Sequence, residues 1–287
     1  MSGVLVVVVL RCTDPHAQVD ALTGEVRADP RAAAAGPADR AALESGLRLV
    51  ESAGGRCVAV TLADSSADEV LREALACGAA DVLRVDTGAE FDPRVPDSGA
   101  ATAKTLTDAI RQRFGAPDLV LAGDHSADRG TGTTPAFLAA EFGCAQALGL
   151  VELESGDDGR LRALRRLDRG RRERLAVPLP AVCSLEPAGV RLRTAPLPAT
   201  LAARRTEIPV HHTRAEPSEL RVRGASGYRP RAKELAAPAG ASARQRVREL
   251  TGAQERRDPP RIVVTDDPAE AAEELLTFLR DNGYLDG

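Results

Sequence analysis

Residues 4–10 read VLVVVVL, seven apolar positions in succession. A strand with one face in water alternates apolar and polar residues, so an unbroken run has to be covered on both faces. The run falls far short of the roughly 20 residues that cross a bilayer as a helix, and no basic start precedes it as in a signal peptide. It is therefore read as a buried first strand of a mostly parallel sheet covered by helices.

The chain continues in that rhythm. After a polar connection, TDPHAQVDALTGEVRADPRAAAAG, the segment GPADRAALESGLRLVESAGG predicts a helix. Pro37 suits its first turn, Leu43, Leu47 and Val50 share a face, and Gly54-Gly55 ends it. RCVAVTL and ADVLRV read as strands flanking a helix over SADEVLREALACGA, with Val70, Leu71 and Leu75 inward and Gly78 at its end. A helix over ATAKTLTDAIRQRFG and a strand over DLVLAG complete the alternation expected of a right-handed parallel α/β fold. Aromatics make up 2% of the chain and Trp is absent, so Ala, Val and Leu must fill the interior.

Beyond residue 145 the pattern changes. ALGLVELE, RLRALRRLD, RERLAVPL and AVCSLEP are short and β-like, and they predict a hairpin or meander added to the sheet. RLRALRRLDRGRRER carries helical spacing as well, so a helix stays open there. From about 208 to 260, Pro, Arg, Ala and Ser dominate, and this stretch lacks the apolar residues for a core of its own. RIVVT then reads as a short strand. DPAEAAEELLTFLRDNGYL reads as a helix opened by Asp267-Pro268, with Ala272, Leu275, Leu276 and Leu279 on one stripe. The expected organisation is a nucleotide-binding α/β domain over 1–207 and an extended C-terminal arm over 208–287. The terminal helix of that arm needs a surface to dock on, which another chain would supply.

The formal net charge of −4 works against non-specific binding to nucleic acid. Five cysteines (12, 57, 77, 144 and 183) lie scattered without any C-x-x-C pair, as small core residues do in a reducing compartment. A cytoplasmic location without a membrane span is expected. His211-His212 looks like a metal pair, but neighbours on a strand point to opposite faces, and no matching ligand spacing accompanies them. No metal site is expected. Neither a catalytic nucleophile nor an acid–base pair can be assembled from spacing, which suits a carrier or binding subunit better than a hydrolase.

The stretch that carries chemistry is DLVLAGDHSADRGTGTTP, a strand that enters a loop of small polar residues and then a helix. A helix starting near Thr131 would offer unpaired N–H groups and a positive dipole end to an anion. Gly123, Gly130 and Gly132 permit close backbone approach, and Thr131, Thr133 and Thr134 add hydroxyls. The loop follows a parallel strand, where open α/β sheets bind ligands. The plainer alternative is an ordinary helix capped by Thr or Asp. His125 either contacts ligand or faces solvent. Neither a G-x-x-x-x-G-K-[ST] loop nor a G-x-G-x-x-G after the first strand is present, which speaks against P-loop ATPases and dinucleotide dehydrogenases.

Taken in order, five segments resemble the electron transfer flavoprotein beta subunit family: GPADRAALESGLRL, LREALACGAAD, DLVLAGDHSADRGTGTTP, RRLDRGRRERLAVPLPAVCSLE and APLPATLAARRTEI. The resemblance implies a Rossmann-like fold of the adenine nucleotide alpha-hydrolase-like kind. It also implies an alpha subunit that holds most of the FAD, an AMP of structural role in this chain, and electron delivery from a partner flavin or other dehydrogenase. No substrate bond chemistry is assigned to this chain.

Carried over by position, the AMP contacts are Val8, Gly36, Pro37, Ala38, Asp39, Leu62, Gly123, Asp124, His125, Ser126, Ala127, Asp128, Arg129, Gly130, Thr131, Gly132, Thr133 and Thr134. Leu197 takes the place of the leucine that anchors the dehydrogenase, and Arg204 and Arg205 stand where lysines usually accompany it. Asp128, the retained acid, is expected to meet ribose hydroxyls or backbone N–H groups, since a phosphate would repel it. The sequence departs from the family pattern at Gly36 and Ala38, in place of Asn and Phe, and at Gly130 and Thr133, in place of an acid and Gln. A stand-alone adenine-nucleotide-binding regulatory module of the same fold is the alternative. A nucleotide hydrolase ranks behind both.

Overall fold

A computed structural model describes residues 3–88, 98–156, 159–214, 227, 237–251 and 262–285. The chain divides into two units, Met1–Tyr228 and Arg229–Gly287.

The first unit is built on one nine-stranded sheet: β1 (Val4–Val9), β2 (Gly55–Leu62), β3 (Asp81–Asp86), β4 (Leu119–Gly123), β5 (Ala145–Ser155), β6 (Leu161–Arg166), β7 (Arg172–Val177), β8 (Ala181–Leu185) and β9 (Val210–His212). The spatial order is β7-β6-β5-β8-β4-β1-β2-β3-β9. Every pairing from β5 to β9 is parallel, and only the β5–β6 and β6–β7 pairings are antiparallel. The mostly parallel α/β fold is thus present with its added meander, and the segment that also carried helical spacing is strand.

The unbroken apolar run has its predicted cause. Val6, Val8 and Leu10 point into a core formed with α1 (Pro37–Ala53) and α2 (Asp68–Cys77). Leu5, Val7 and Val9 point into a second core with α3 (Gly99–Phe114) and α4 (Thr134–Phe142). Both faces of β1 are dry, which is why no polar residue interrupts it. Gly54 ends α1 at φ 78°, where any residue with a Cβ would be strained. α5 (Leu197–Arg205) packs on α2.

Three details differ from the sequence reading. The polar connection after β1 folds into two small ribbons, Cys12–Thr13 with Ala34–Ala35 and Gln18–Val19 with Val26–Arg27. The helix expected near Thr131 begins three residues later, at Thr134, because Ser126 ties Thr131 into a preceding turn and Pro135 suits a first turn. Val210–His212, in the Pro- and Arg-rich stretch, adds an edge strand beside β3.

Within the second unit, α6 (Ala243–Leu250) is closed by a capping box in which Ser242 and Gln245 satisfy each other's backbone N–H groups. The sequence reading missed this helix because its composition is that of a loop. α7 (Pro268–Asp281) forms as expected, with the Asp267 carboxylate accepting from the Ala269 N–H. Leu275, Leu276 and Phe278 stand exposed on it. The expected strand does not form over Ile262–Thr265, and Arg261 and most of 215–236 and 252–260 lie outside the described residues.

Candidate functional site

The strand order reverses beside β1: the chain adds β2 and β3 on one side, then crosses to place β4 on the other. Crevices at such switch points, beyond the carboxyl ends of the strands, are where open α/β sheets hold ligands. A cavity of about 440 Å³ opens there. Leu10 and Arg11 after β1, Leu62 to Asp64 at the end of β2, Thr87 after β3 and Gly123 at the end of β4 line it. Its lining combines apolar residues (Val9, Leu62, Leu106, Ala122) with polar ones, a mixture suited to a ligand with an aromatic and a charged end.

The loop between β4 and α4 is built around Ser126. The Ser126 N–H donates to the Thr131 carbonyl (2.8 Å), the Gly130 N–H donates to the Ser126 carbonyl (2.9 Å), and the Thr131 N–H donates to Ser126 Oγ (3.3 Å). Gly130, at φ 63°, turns the chain where a Cβ would strain it. Gly132 packs so closely that an added Cβ would fall 2.2 Å from the Asp124 carbonyl oxygen. At the start of α4, Pro135 has no N–H and the Ala136 and Phe137 N–H groups donate to the Thr133 carbonyl (3.1 and 3.2 Å), which leaves the Thr134 N–H as the first helical donor without an intrahelical partner.

Two carboxylates fix the walls. Asp128 is gripped by the Arg11 guanidinium through Nε at 2.9 Å and a terminal nitrogen at 2.8 Å. Burial would raise this carboxyl, but Arg11 outweighs it and holds Asp128 below the usual carboxylate range. Asp128 thus meets the Arg11 guanidinium in addition to a backbone N–H, its own, and the Ser126 hydroxyl. Asp39, in the first turn of α1, is 6% exposed. It accepts from the Gly123 N–H at 3.3 Å and also from the N–H groups of Arg11 and Gly36, so one side chain ties α1 to the ends of β1 and β4. Burial pushes the Asp39 carboxyl up to about 7 against those donors. Cys12, at the mouth, is raised to about 11 by burial and by Asp64.

Of the positions singled out by resemblance, the cavity lining gathers Asp39, Leu62, Gly123, His125, Ser126, Asp128, Arg129, Thr131, Gly132 and Thr134. Val8 lies outside it, wholly buried under α1, and its neighbour Val9 takes the lining position. Gly36, Pro37, Ala38, Asp124, Ala127, Gly130 and Thr133 also stand outside the lining. Thr133 packs against the start of α3, its Oγ1 2.4 Å from where a Cβ on Gly99 would sit. Asp124 Oδ1 lies 2.6 Å from His125 Nδ1, which positions the half-exposed imidazole.

The sequence reading missed Arg11, Asp14, Asp29 and Thr102, which line the cavity from the ribbons and α3. For Arg11 a signal existed, a lone cation directly after an all-apolar strand. The others required knowing how the connection folds. Among the described residues no group of three or more His, Cys, Asp and Glu lies together as a metal site would require.

A second constellation surrounds α5. Leu197, at its start, is 69% exposed, with Leu201 beside it one turn on and Arg204 and Arg205 in the last turn. The irregular segment before α5 is anchored by Arg193, which bonds Glu44 (2.9 Å) and Glu51, both on α1. The Arg193 N–H also donates to Glu44 (3.1 Å), whose carboxylate is almost wholly buried.

Fold and cavity together define a Rossmann-like α/β protein with a crevice at its switch point. The model of the electron transfer flavoprotein domain matches residues 26–215. The chain is 29% identical over 281 residues to the electron transfer flavoprotein subunit beta of Chromohalobacter salexigens, covering 92% of this chain and 91% of that one. It is 30% identical over 176 residues to Protein FixA of Azorhizobium caulinodans (60% and 61% of the two chains). To the electron transfer flavoprotein subunit beta of Dictyostelium discoideum it is 28% identical over 151 residues (52% and 56%). The chain belongs to the electron transfer flavoprotein family, as a member of its beta-subunit type.

Proposed function

We propose that the chain is the beta-type subunit of a heterodimeric electron transfer flavoprotein, binding AMP structurally in the switch-point cavity. The observation that carries this is the convergence of the Gly123–Thr134 loop, the carboxyl ends of β1, β2 and β4, and Asp39 on one cavity of about 440 Å³. Its size and mixed apolar and polar lining fit a nucleoside monophosphate. The N–H groups of Gly132, before α4, and Thr134, at its start, would receive the phosphate, with Arg129 nearby. Arg11 keeps the Asp128 carboxylate neutralised beside it. Leu62, Ala63 and Leu106 would cover an apolar ring.

FAD, when bound between the subunits, supplies the redox chemistry. The residues of this chain hold the nucleotide, shield the interface and present Leu197 with Arg204 and Arg205 to a donor dehydrogenase. The chain from 208 onward serves as a docking arm, and the exposed Leu275, Leu276 and Phe278 of α7 suit that role. The protein works in the cytoplasm as an electron carrier without bond chemistry of its own. Among the described residues no helix is long and apolar enough to cross a membrane.

Coexpression with the nearest-encoded alpha-type subunit tests the reading. A one-to-one complex with a flavin absorbance spectrum is expected. A stable, flavin-free chain that ignores that subunit would favour the stand-alone nucleotide-binding module instead.

A further inference from the structure

A second cavity, of about 510 Å³, lies between α1, α2 and the irregular segment Pro187–Ala195 that joins β8 to α5. It shares no lining residue with the switch-point cavity. The first turn of α1 is divided between the two: Asp39 lines the switch-point cavity, and Pro37 and Arg40 line this one. The cavity is built into the fold. Val190, Leu192 and Ala195 pack on the core beneath α1 and α2. Arg193 donates to Glu44 (2.9 Å) and to Glu51 on α1, and its carbonyl accepts from the Cys77 thiol at the end of α2 (3.5 Å). The segment is thereby fixed to both helices across the space it encloses.

Three guanidiniums line this cavity, and they are unequally matched. Arg193 is spent on Glu44 and Glu51. Arg40 commits one terminal nitrogen to the two oxygens of Glu73 (3.0 and 3.1 Å), and its Nε is buried without a hydrogen-bond partner among the described residues. Arg191 is exposed and has neither an ion pair nor a hydrogen bond among the described residues. Glu73 is the only acid in the lining, and Pro37, Pro187, Val190 and Leu192 make much of the rest apolar.

We propose that this cavity binds a small organic monoanion, a carboxylate on an apolar body. Arg191 and Arg40 receive the carboxylate, and Pro37, Val190 and Leu192 cover the body. A guanidinium offers parallel N–H donors that match the two oxygens of a carboxylate. One uncommitted guanidinium and one partly committed to Glu73 suit a single negative charge, whereas a dianionic phosphate would meet the Glu73 carboxylate in the same lining. The volume is that of a small-molecule site, with apolar walls and a few polar groups to fix orientation. The proposal depends neither on AMP in the switch-point cavity nor on the heterodimer.

The test is calorimetric titration of the full chain with hexanoate, benzoate and inorganic phosphate, each without AMP and with AMP in excess. Both carboxylates should bind under either condition, and phosphate should bind more weakly. Arg191→Gln removes the charge of an exposed side chain that has no partner to lose, and it should weaken both carboxylates about tenfold. Arg191→Lys should keep part of the affinity. Thr194→Trp, at an exposed position of the lining, should block the cavity, with circular dichroism confirming that each variant is folded. Carboxylates that fail to bind the wild-type chain, or that bind it and Arg191→Gln equally, overturn the proposal. Carboxylate binding that disappears when AMP is added would belong to the switch-point cavity and overturn it as well. Phosphate bound more tightly than either carboxylate would contradict the assignment of ligand class.

Discussion

Asp39→Asn isolates the energetics of the residue that ties the cavity together. In the folded chain this carboxyl is pushed from 3.8 to about 7 by burial. The folded state therefore binds more protons than the unfolded state between those values, and stability contributed by the neutral form is lost as pH rises from about 4 to about 7. Three units at roughly 1.4 kcal/mol each put that loss at about 4 kcal/mol. Asparagine is neutral throughout, but its amide presents N–H groups to backbone donors of Gly123, Arg11 or Gly36, at a pH-independent cost of about 1–3 kcal/mol. The variant should be the less stable protein at pH 4 and the more stable one at pH 8, with the difference moving by about 4 kcal/mol in between. Urea denaturation followed by far-ultraviolet circular dichroism measures this, since the chain has no Trp. Taking the difference between variant and wild type cancels the titration of all groups that do not touch Asp39. A difference that is flat, or that moves the other way, would refute the reasoning: the three N–H donors would then stabilise the carboxylate more than burial penalises it.

The same ionisation places a negative charge beside the proposed phosphate site, so AMP affinity of the complex, read by calorimetry, should fall as pH rises through 7 in wild type and stay flat in Asp39→Asn. Gly132→Ala puts a Cβ within 2.2 Å of the Asp124 carbonyl oxygen and must displace the loop. The expected result is loss of copurifying AMP with circular dichroism unchanged. Arg11→Met leaves the half-buried Asp128 with only the more distant Arg129 guanidinium (3.8 Å) and should weaken AMP binding about tenfold, about 1.4 kcal/mol, and adding Asp128→Asn should restore part of it in a double-mutant cycle. Arg193→Ala removes the main partner of the buried Glu44, which keeps Arg48, and should cost about 3 kcal/mol in urea melts at pH 7. Because Arg193 holds Glu44 and Glu51 below the ordinary 4.5, that contribution is present above pH 4.5 and disappears as pH falls below it.

Elements whose physics is local were legible in the sequence. The run at Val4–Val9, the Pro37 start and Gly54 stop of α1, and the apolar strands after each helix state their burial directly, and the strand-to-loop motif marked the right end of β4. What failed depended on distant partners. Arg11 and Asp128 are 117 residues apart, and nothing in either neighbourhood announces that they meet. The ribbons at 12–35 carry too few apolar residues to read as strands, and they matter only because they wall the cavity. Val8 and Val9 differ by one place on a strand, and that place decides which faces the α1 core and which lines the cavity. Helix α6 is specified by a reciprocal cap, a signal carried by two polar residues amid a loop-like composition.

The account stands most directly on the nucleotide content of the complex. The heterodimer, coexpressed with the alpha-type subunit and purified without added nucleotide, would be denatured and its released nucleotides quantified by mass spectrometry, with the Gly132→Ala form alongside. The account predicts one FAD and one AMP per wild-type heterodimer, and FAD with little AMP in the variant. FAD without AMP in the wild type would contradict the assignment of the switch-point cavity to a nucleotide.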